Sequence, residues 1–264
     1  MSKTNMRALL ALVENKASRV NEMIESYTRF FKGEQGQFRG TKRTYSPKDG
    51  YADKPEEKKD VPVVTTVDEK FDWFIDLAKS YVSEALSIEA TNSIGAMKVD
   101  LVVDGISFGL MSANELMRLR NFINQLDKVF KVVPTRDTKE IWSETTNPEY
   151  AERNIWETRV INSVEKTTIK TSRILEDPNV EKLRDTSKYQ PVVSEISRIE
   201  EIGDITFQSF SGEWSHLQKA NLLKRKSAFI DAITLALSQI NGADSTDTEL
   251  DSEKFLKYLV YGKY

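Results

Sequence analysis

The 264-residue chain predicts an α+β protein in which a long antiparallel helical hairpin and further helices pack on an antiparallel β-sheet. Three observations carry this expectation. Two separated stretches hold heptad-spaced apolar residues. A block between residues 140 and 210 is dense in β-branched and aromatic residues. The element order, two helices, a hairpin, a helix, several strands and two helices, does not alternate strand with helix as a parallel sheet requires.

Met6, Leu10, Val13, Ala17, Val20, Ile24, Tyr27 and Phe31 recur at spacings of four and three, which places them on one seam of a helix over about 5–32. Gly33 ends that helix. A connector over 33–65 with Pro47, Pro55 and Pro62 reads as an extended or mobile loop. Thr66 and Glu69 form a capping box for a second helix to about residue 90. Its seam is Val67, Phe71, Phe74, Ala78, Tyr81, Ala85 and Ile88. Small residues mixed with aromatic ones favour an antiparallel pair over a parallel dimer zipper, so the two helices are expected to form a hairpin within the chain.

Lys98–Phe108 reads as a β-hairpin, because Asp104-Gly105 is the preferred two-residue turn between strand formers. Ser112 and Glu115 form another capping box and open a helix that Pro134 closes. Ile141, Trp142, Thr145, Ile155, Trp156, Val160, Ile161, Val164 and Ile169 then argue for strands. A polar loop is expected over 173–190, and two strands near 192–199 and 205–210 with Gly203-Asp204 turning between them. Leu222, Phe229, Ile233, Ala236 and Ile240 mark a last long helix that Asn241-Gly242 stops. In domain terms, 1–134 holds the helical hairpin, β-hairpin and third helix. Residues 135–242 hold the β-rich segment and long helix, continuous with the first part. Residues 243–264 are a linker and a short helix with Phe255, Leu256, Leu259 and Val260.

The N-terminal helix, Phe38-Arg39-Gly40, Lys42 to Pro47, Ala96 to Gly105, and Phe210-Ser211-Gly212 leading into Leu222–Ile240 together resemble a family of bacterial proteins without an assigned activity. The resemblance implies a shared fold and no chemistry.

Composition narrows the function classes. The chain has no cysteine, which excludes disulfides, thiolate nucleophiles and cysteine-ligated metals. Its one histidine, His216, follows Ser211-Gly212-Glu213-Trp214-Ser215, but no nucleophile elbow accompanies it, so a surface or capping role is expected. The net charge of −3 argues against generic coating of DNA. No window reaches the roughly twenty apolar residues of a membrane span, and no leader cleavage pattern is visible, so a cytoplasmic protein without membrane contact is expected. Phosphate-binding glycine motifs are missing; the glycines from Gly33 to Gly40 follow a helix instead of opening one. Asp100 and Asp104 read as solvent-facing hairpin carboxylates. No cofactor or metal is expected.

The sequence thus points to a non-enzymatic structural or interaction protein, a homo-oligomer assembled through its helical seams and the connector as an arm. The alternative is a nucleic-acid binder. Arg39, Lys42, Arg43 and Lys48, with Lys224 and Arg225 on the last helix, would meet phosphates, and Phe38, Tyr45 and Tyr51 would stack on bases or serve as arm contacts. Lys219 and Lys226 join the helical basic cluster, for which a solvated face is the default reading. A second alternative is an enzyme built on carboxylates and a metal.

Overall fold

A computed structural model describes residues 6–51, 53–175 and 192–242. The fold is α+β, with four α-helices and an antiparallel sheet among the described residues. The described residues belong to two compact units with interleaved segments. One takes the chain up to Gly33, Asp72–Val133 and the part from Ser215; the other takes Glu34–Phe71 and Pro134–Trp214. The terminal helix expected over 243–264 lies outside the described residues.

In the first unit, helix α1 (Met6–Gly33) and the body of α2 (Val67–Asn92) run antiparallel. Lys16 pairs with Glu84, and the Tyr27 and Phe74 rings lie 6.4 Å apart, so contacts that advance along α1 retreat along α2. Val13, Val20, Ile24, Tyr27 and Phe31 are buried, as are Phe74, Ala78, Tyr81, Ala85 and Ile88. Most of the heptad seam is therefore buried inside the chain, as the expected intramolecular hairpin requires, while Leu10 of α1 stays 46% exposed.

Strands β1 (Lys98–Val103) and β2 (Ile106–Ser112) form the expected hairpin, with Asp104 and Gly105 both at positive φ (48° and 81°) as its turn type demands. Helix α3 (Ala113–Phe130) starts at the Ser112–Glu115 capping box, and α4 (His216–Ile240) starts at a second one, Ser215 with Gln218. Leu101, Val103, Leu116, Ile123, Ile233 and Ala236 join β1, α3 and α4 in one core, with Met111 of β2 packed against it.

Among the described residues, the second unit is built on a six-stranded antiparallel sheet. Its strands are β3 (Arg39–Pro47), β4 (Glu57–Val61), β5 (Trp142–Glu144), β6 (Trp156–Thr158), β7 (Ile161–Leu175) and β8 (Val192–Ser211). The order is β4-β3-β8-β6-β5, with β7 also on β8. The connector over 33–65 is thus no loop. Its strand β3 is paired on both sides, Thr41 with Val61 of β4 and with Ser209 of β8. Its basic and threonine-rich sequence hid a strand because much of this sheet faces solvent and needs few apolar residues.

A further correction concerns Gly203-Asp204. The two expected strands are one, and Gly203 continues it under the Tyr45 ring, where a Cβ would fall 2.2 Å from a ring carbon. Glycine serves here for close approach, not for a turn. Tyr45 is consequently 5% exposed and its hydroxyl donates to the Ile202 carbonyl at 3.3 Å.

Candidate functional site

Within the sheet unit, the basic and aromatic residues singled out from sequence do not converge into one open site. Phe38 is fully buried and Tyr45 nearly so, which removes both as stacking platforms. Tyr51 donates its hydroxyl to Glu200 at 2.5 Å. Arg39 is ion-paired with Glu213 at 2.9 Å, and Lys48 with Glu201 at 2.7 Å, a contact that raises the lysine pKa and lowers that of the glutamate. Lys42 and Arg43 remain exposed on β3, next to Asp60 and Lys59 of β4 respectively. Arg43 shares an open recess of about 430 Å³ with Tyr45, Lys54, Pro55, Glu57 and Glu165.

In the helical unit Lys224 and Arg225 are exposed on α4, whereas Lys226 reaches Asp127 at 2.9 Å and Lys219 donates to the Val133 carbonyl. Hydrogen bonding from Lys131, supported by Lys226, holds the Asp127 carboxyl below its usual range. His216 is the first residue of α4. Asp100 faces solvent, accepting from Ser107 at 2.7 Å. Among the described residues, no three metal-ligating side chains come together and no helix is long and apolar enough to cross a membrane.

Two features of the second unit were not anticipated. One is a buried polar knot. Ser211-Gly212-Glu213-Trp214 leaves the end of β8, and Gly212 donates to the Phe38 carbonyl while accepting from the Val67 amide. The motifs Phe38-Arg39-Gly40 and Phe210-Ser211-Gly212 are therefore strand neighbours, with Gly40 opposite Phe210. Glu213, 3% exposed, takes Arg39 on one carboxylate oxygen and the Ser211 hydroxyl at 3.2 Å on the other. Burial raises its pKa even against the pull of Arg39 and Arg136. Arg136, 7% exposed, lies with its guanidinium 4.0 Å from the centre of the Trp156 ring. Its Nη1 has no hydrogen-bond partner among the described residues, and burial lowers its pKa. Asp68 accepts from the Trp214 indole at 2.7 Å and from Asn154 at 2.5 Å. Buried charges with partners drawn from four chain segments fix one arrangement of those segments, since a lost partner leaves an uncompensated charge. No short motif announces such a knot.

The other feature is a ribbon. Strand β3 accompanies β8 only from Gly203 to Ser211, but β7 stays paired to β8 out to Leu175 and Val192. From the Lys166–Glu201 pair outward, two strands continue for ten residue pairs, roughly 30 Å at about 3.3 Å per residue. Ile169, Ile196 and Ile199 on this ribbon are 37%, 54% and 69% exposed. Among the described residues no third strand joins it; near its base the loop after β3 touches β8 through Lys48 and Tyr51. Isoleucines in a β-rich stretch signal a strand, but not that its faces stay uncovered.

No curated protein and no solved structure matches the chain. A family model does, over residues 3–262, and with that match the chain belongs to a family of unknown function, DUF7873.

Proposed function

We propose that this is a non-enzymatic structural or interaction protein that assembles with copies of itself, and that the assembling element is the β7–β8 ribbon. The supporting observation is the ribbon itself: ten residue pairs of two-stranded sheet, with exposed isoleucines and no covering layer among the described residues. Isolated two-stranded ribbons are marginal in water, and a long unpaired strand is a template for another chain. The helical seams lend less support to assembly, because most of their side chains are spent on the core. Neither does the connector, which is built into the sheet.

Sedimentation velocity across a wide concentration range tests the reading. It predicts a concentration-dependent rise above the 30.2 kDa of one copy. A species that stays at 30.2 kDa throughout contradicts it.

A further inference from the structure

We propose that the free edge of β7 pairs with β7 of a second copy of this chain, antiparallel and centred on Ile169. This rests on the self-assembly reading and names its interface.

Among the described residues, β7 is bonded to β8 on one side and to no strand on the other. The register shift near its base is absorbed entirely on β8: Glu165 pairs with Gly203 and Lys166 with Glu201, leaving Ile202 as the extra residue. β7 itself runs unbulged from Ile161 to Leu175, so its outer amides and carbonyls form a regular row. Such a row accepts a strand without rearrangement.

The side chains determine which strand. A two-fold axis perpendicular to the sheet, as a pair of identical strands requires, sets residues on the same face opposite each other. With the axis at Ile169, Glu165 faces Arg173 of the second copy and Arg173 faces its Glu165. Between these two ion pairs, Thr167 faces Thr171 and Ile169 faces Ile169. On the other face, Lys166 meets Ser172 and Thr168 meets Lys170. Opposite charges, threonine pairs and apolar pairs are the combinations that stabilise directly opposed positions.

Neighbouring registers lack this match. Moving the axis to Thr168 sets Lys166 against Lys170 twice; moving it to Lys170 sets that lysine against itself. Axes at Glu165, Lys166 or Arg173 likewise oppose a charge to its own copy. Axes at Thr167, Thr171 or Ser172 avoid like charges but form no ion pair. Within Glu165–Arg173, Ile169 is the one centre that joins opposite charges and opposes no like ones. Glu165 and Arg173 are also available, since neither enters a salt bridge among the described residues. The lysines that usually protect an edge from indiscriminate pairing here disfavour the adjacent registers.

The absence of cysteine gives a clean test in the full-length chain. Directly opposed residues on antiparallel strands bring Cα atoms to about 4.5–5.5 Å, within disulfide reach. Mixing Glu165→Cys protein with Arg173→Cys protein under mild oxidation is expected to give a mixed disulfide dimer that neither gives alone. Ile169→Cys alone is expected to give a homodimer. In sedimentation, Glu165→Arg or Arg173→Glu should each weaken association by roughly tenfold, because two symmetry-related pairs are lost together, and the double reversal should restore it. A wild type that assembles while these cross-links fail and the reversals are silent overturns the β7 edge and leaves self-assembly standing. Cross-linking of Thr167→Cys alone in preference to Ile169→Cys overturns the register. A wild type that stays at one copy at every concentration overturns both readings.

Discussion

The α1–α2 hairpin and the β7–β8 ribbon are both long antiparallel pairs, and they dispose of their apolar residues in opposite ways. In the hairpin, Val20, Ile24, Tyr27 and Phe31 lie on one stripe and all are buried. In the ribbon, Ile196 and Ile199 are neighbours in sequence order separated by three positions, yet both stand in water. The difference is geometric. A helix gathers its apolar side chains on one face, and neighbouring helices can cover it. A two-stranded ribbon sends alternate side chains to two faces and keeps an open edge, so burying it takes more layers than the described residues of this chain provide. A heptad pattern by itself does not locate an interface between copies: most of the apolar seam along α1 and α2 is buried within the chain.

Several substitutions sharpen or break that contrast. The largest effects belong to buried positions. Phe31→Ala should cost about 3–5 kcal/mol in urea unfolding, the usual range for an emptied aromatic site, and leave the Ile169→Cys cross-link unchanged while the chain stays folded. A lost cross-link in folded Phe31→Ala protein would tie the seam to assembly. Glu213→Ala should cost a comparable amount, about 3–5 kcal/mol, by leaving Arg136 buried with only Asp68 as a nearby negative charge. Gly203→Ala should cost about 1–3 kcal/mol, because the added methyl meets the Tyr45 ring. Pairing it with Tyr45→Ala in a double-mutant cycle should show strong coupling, and additive costs would refute the close approach.

Acid titration of stability should separate the two units. The Asp127 carboxyl sits below its ordinary value, so its contribution is present above that value and is lost as pH falls through the native one. Burial puts Glu213 above its ordinary value, so its contribution is present at low pH and lost as pH rises through the native one. Unfolding of Asp127→Asn and Glu213→Gln against wild type over pH should therefore give stability differences with slopes of opposite sign; like signs would contradict the burial of Glu213. The smallest effect is expected at the ribbon surface, where Ile199→Thr should shift stability by less than about 0.5 kcal/mol.

Much of the helical architecture was legible in the chain, because helix starts and tight turns are set by local signals. Asp104-Gly105, Ser112 with Glu115, and Thr66 with Glu69 each fix backbone geometry within four residues, and all three take the expected form. The sheet was harder. Strand β3 reads Arg-Gly-Thr-Lys-Arg-Thr-Tyr-Ser-Pro, too polar for a period-two apolar signal, and it becomes a strand through partners far away in sequence. Gly203 looked like a turn because its reason for being glycine, the ring of Tyr45, arrives from another strand. The polar knot at Glu213 and Arg136 depends on the same long-range meeting. The Glu165–Arg173 symmetry about Ile169 was present in the sequence, but it acquires meaning only once β7 is known to lie at an open edge.

Amide hydrogen exchange at low and high protein concentration tests the central claim most directly, by comparing β7 with α1 in one sample. The account predicts that alternate β7 amides near Ile169 gain protection as concentration rises, while the α1 amides from Val13 to Phe31 do not change. Protection that rises along α1 and stays constant along β7 would contradict it, and would return assembly to the helical seam.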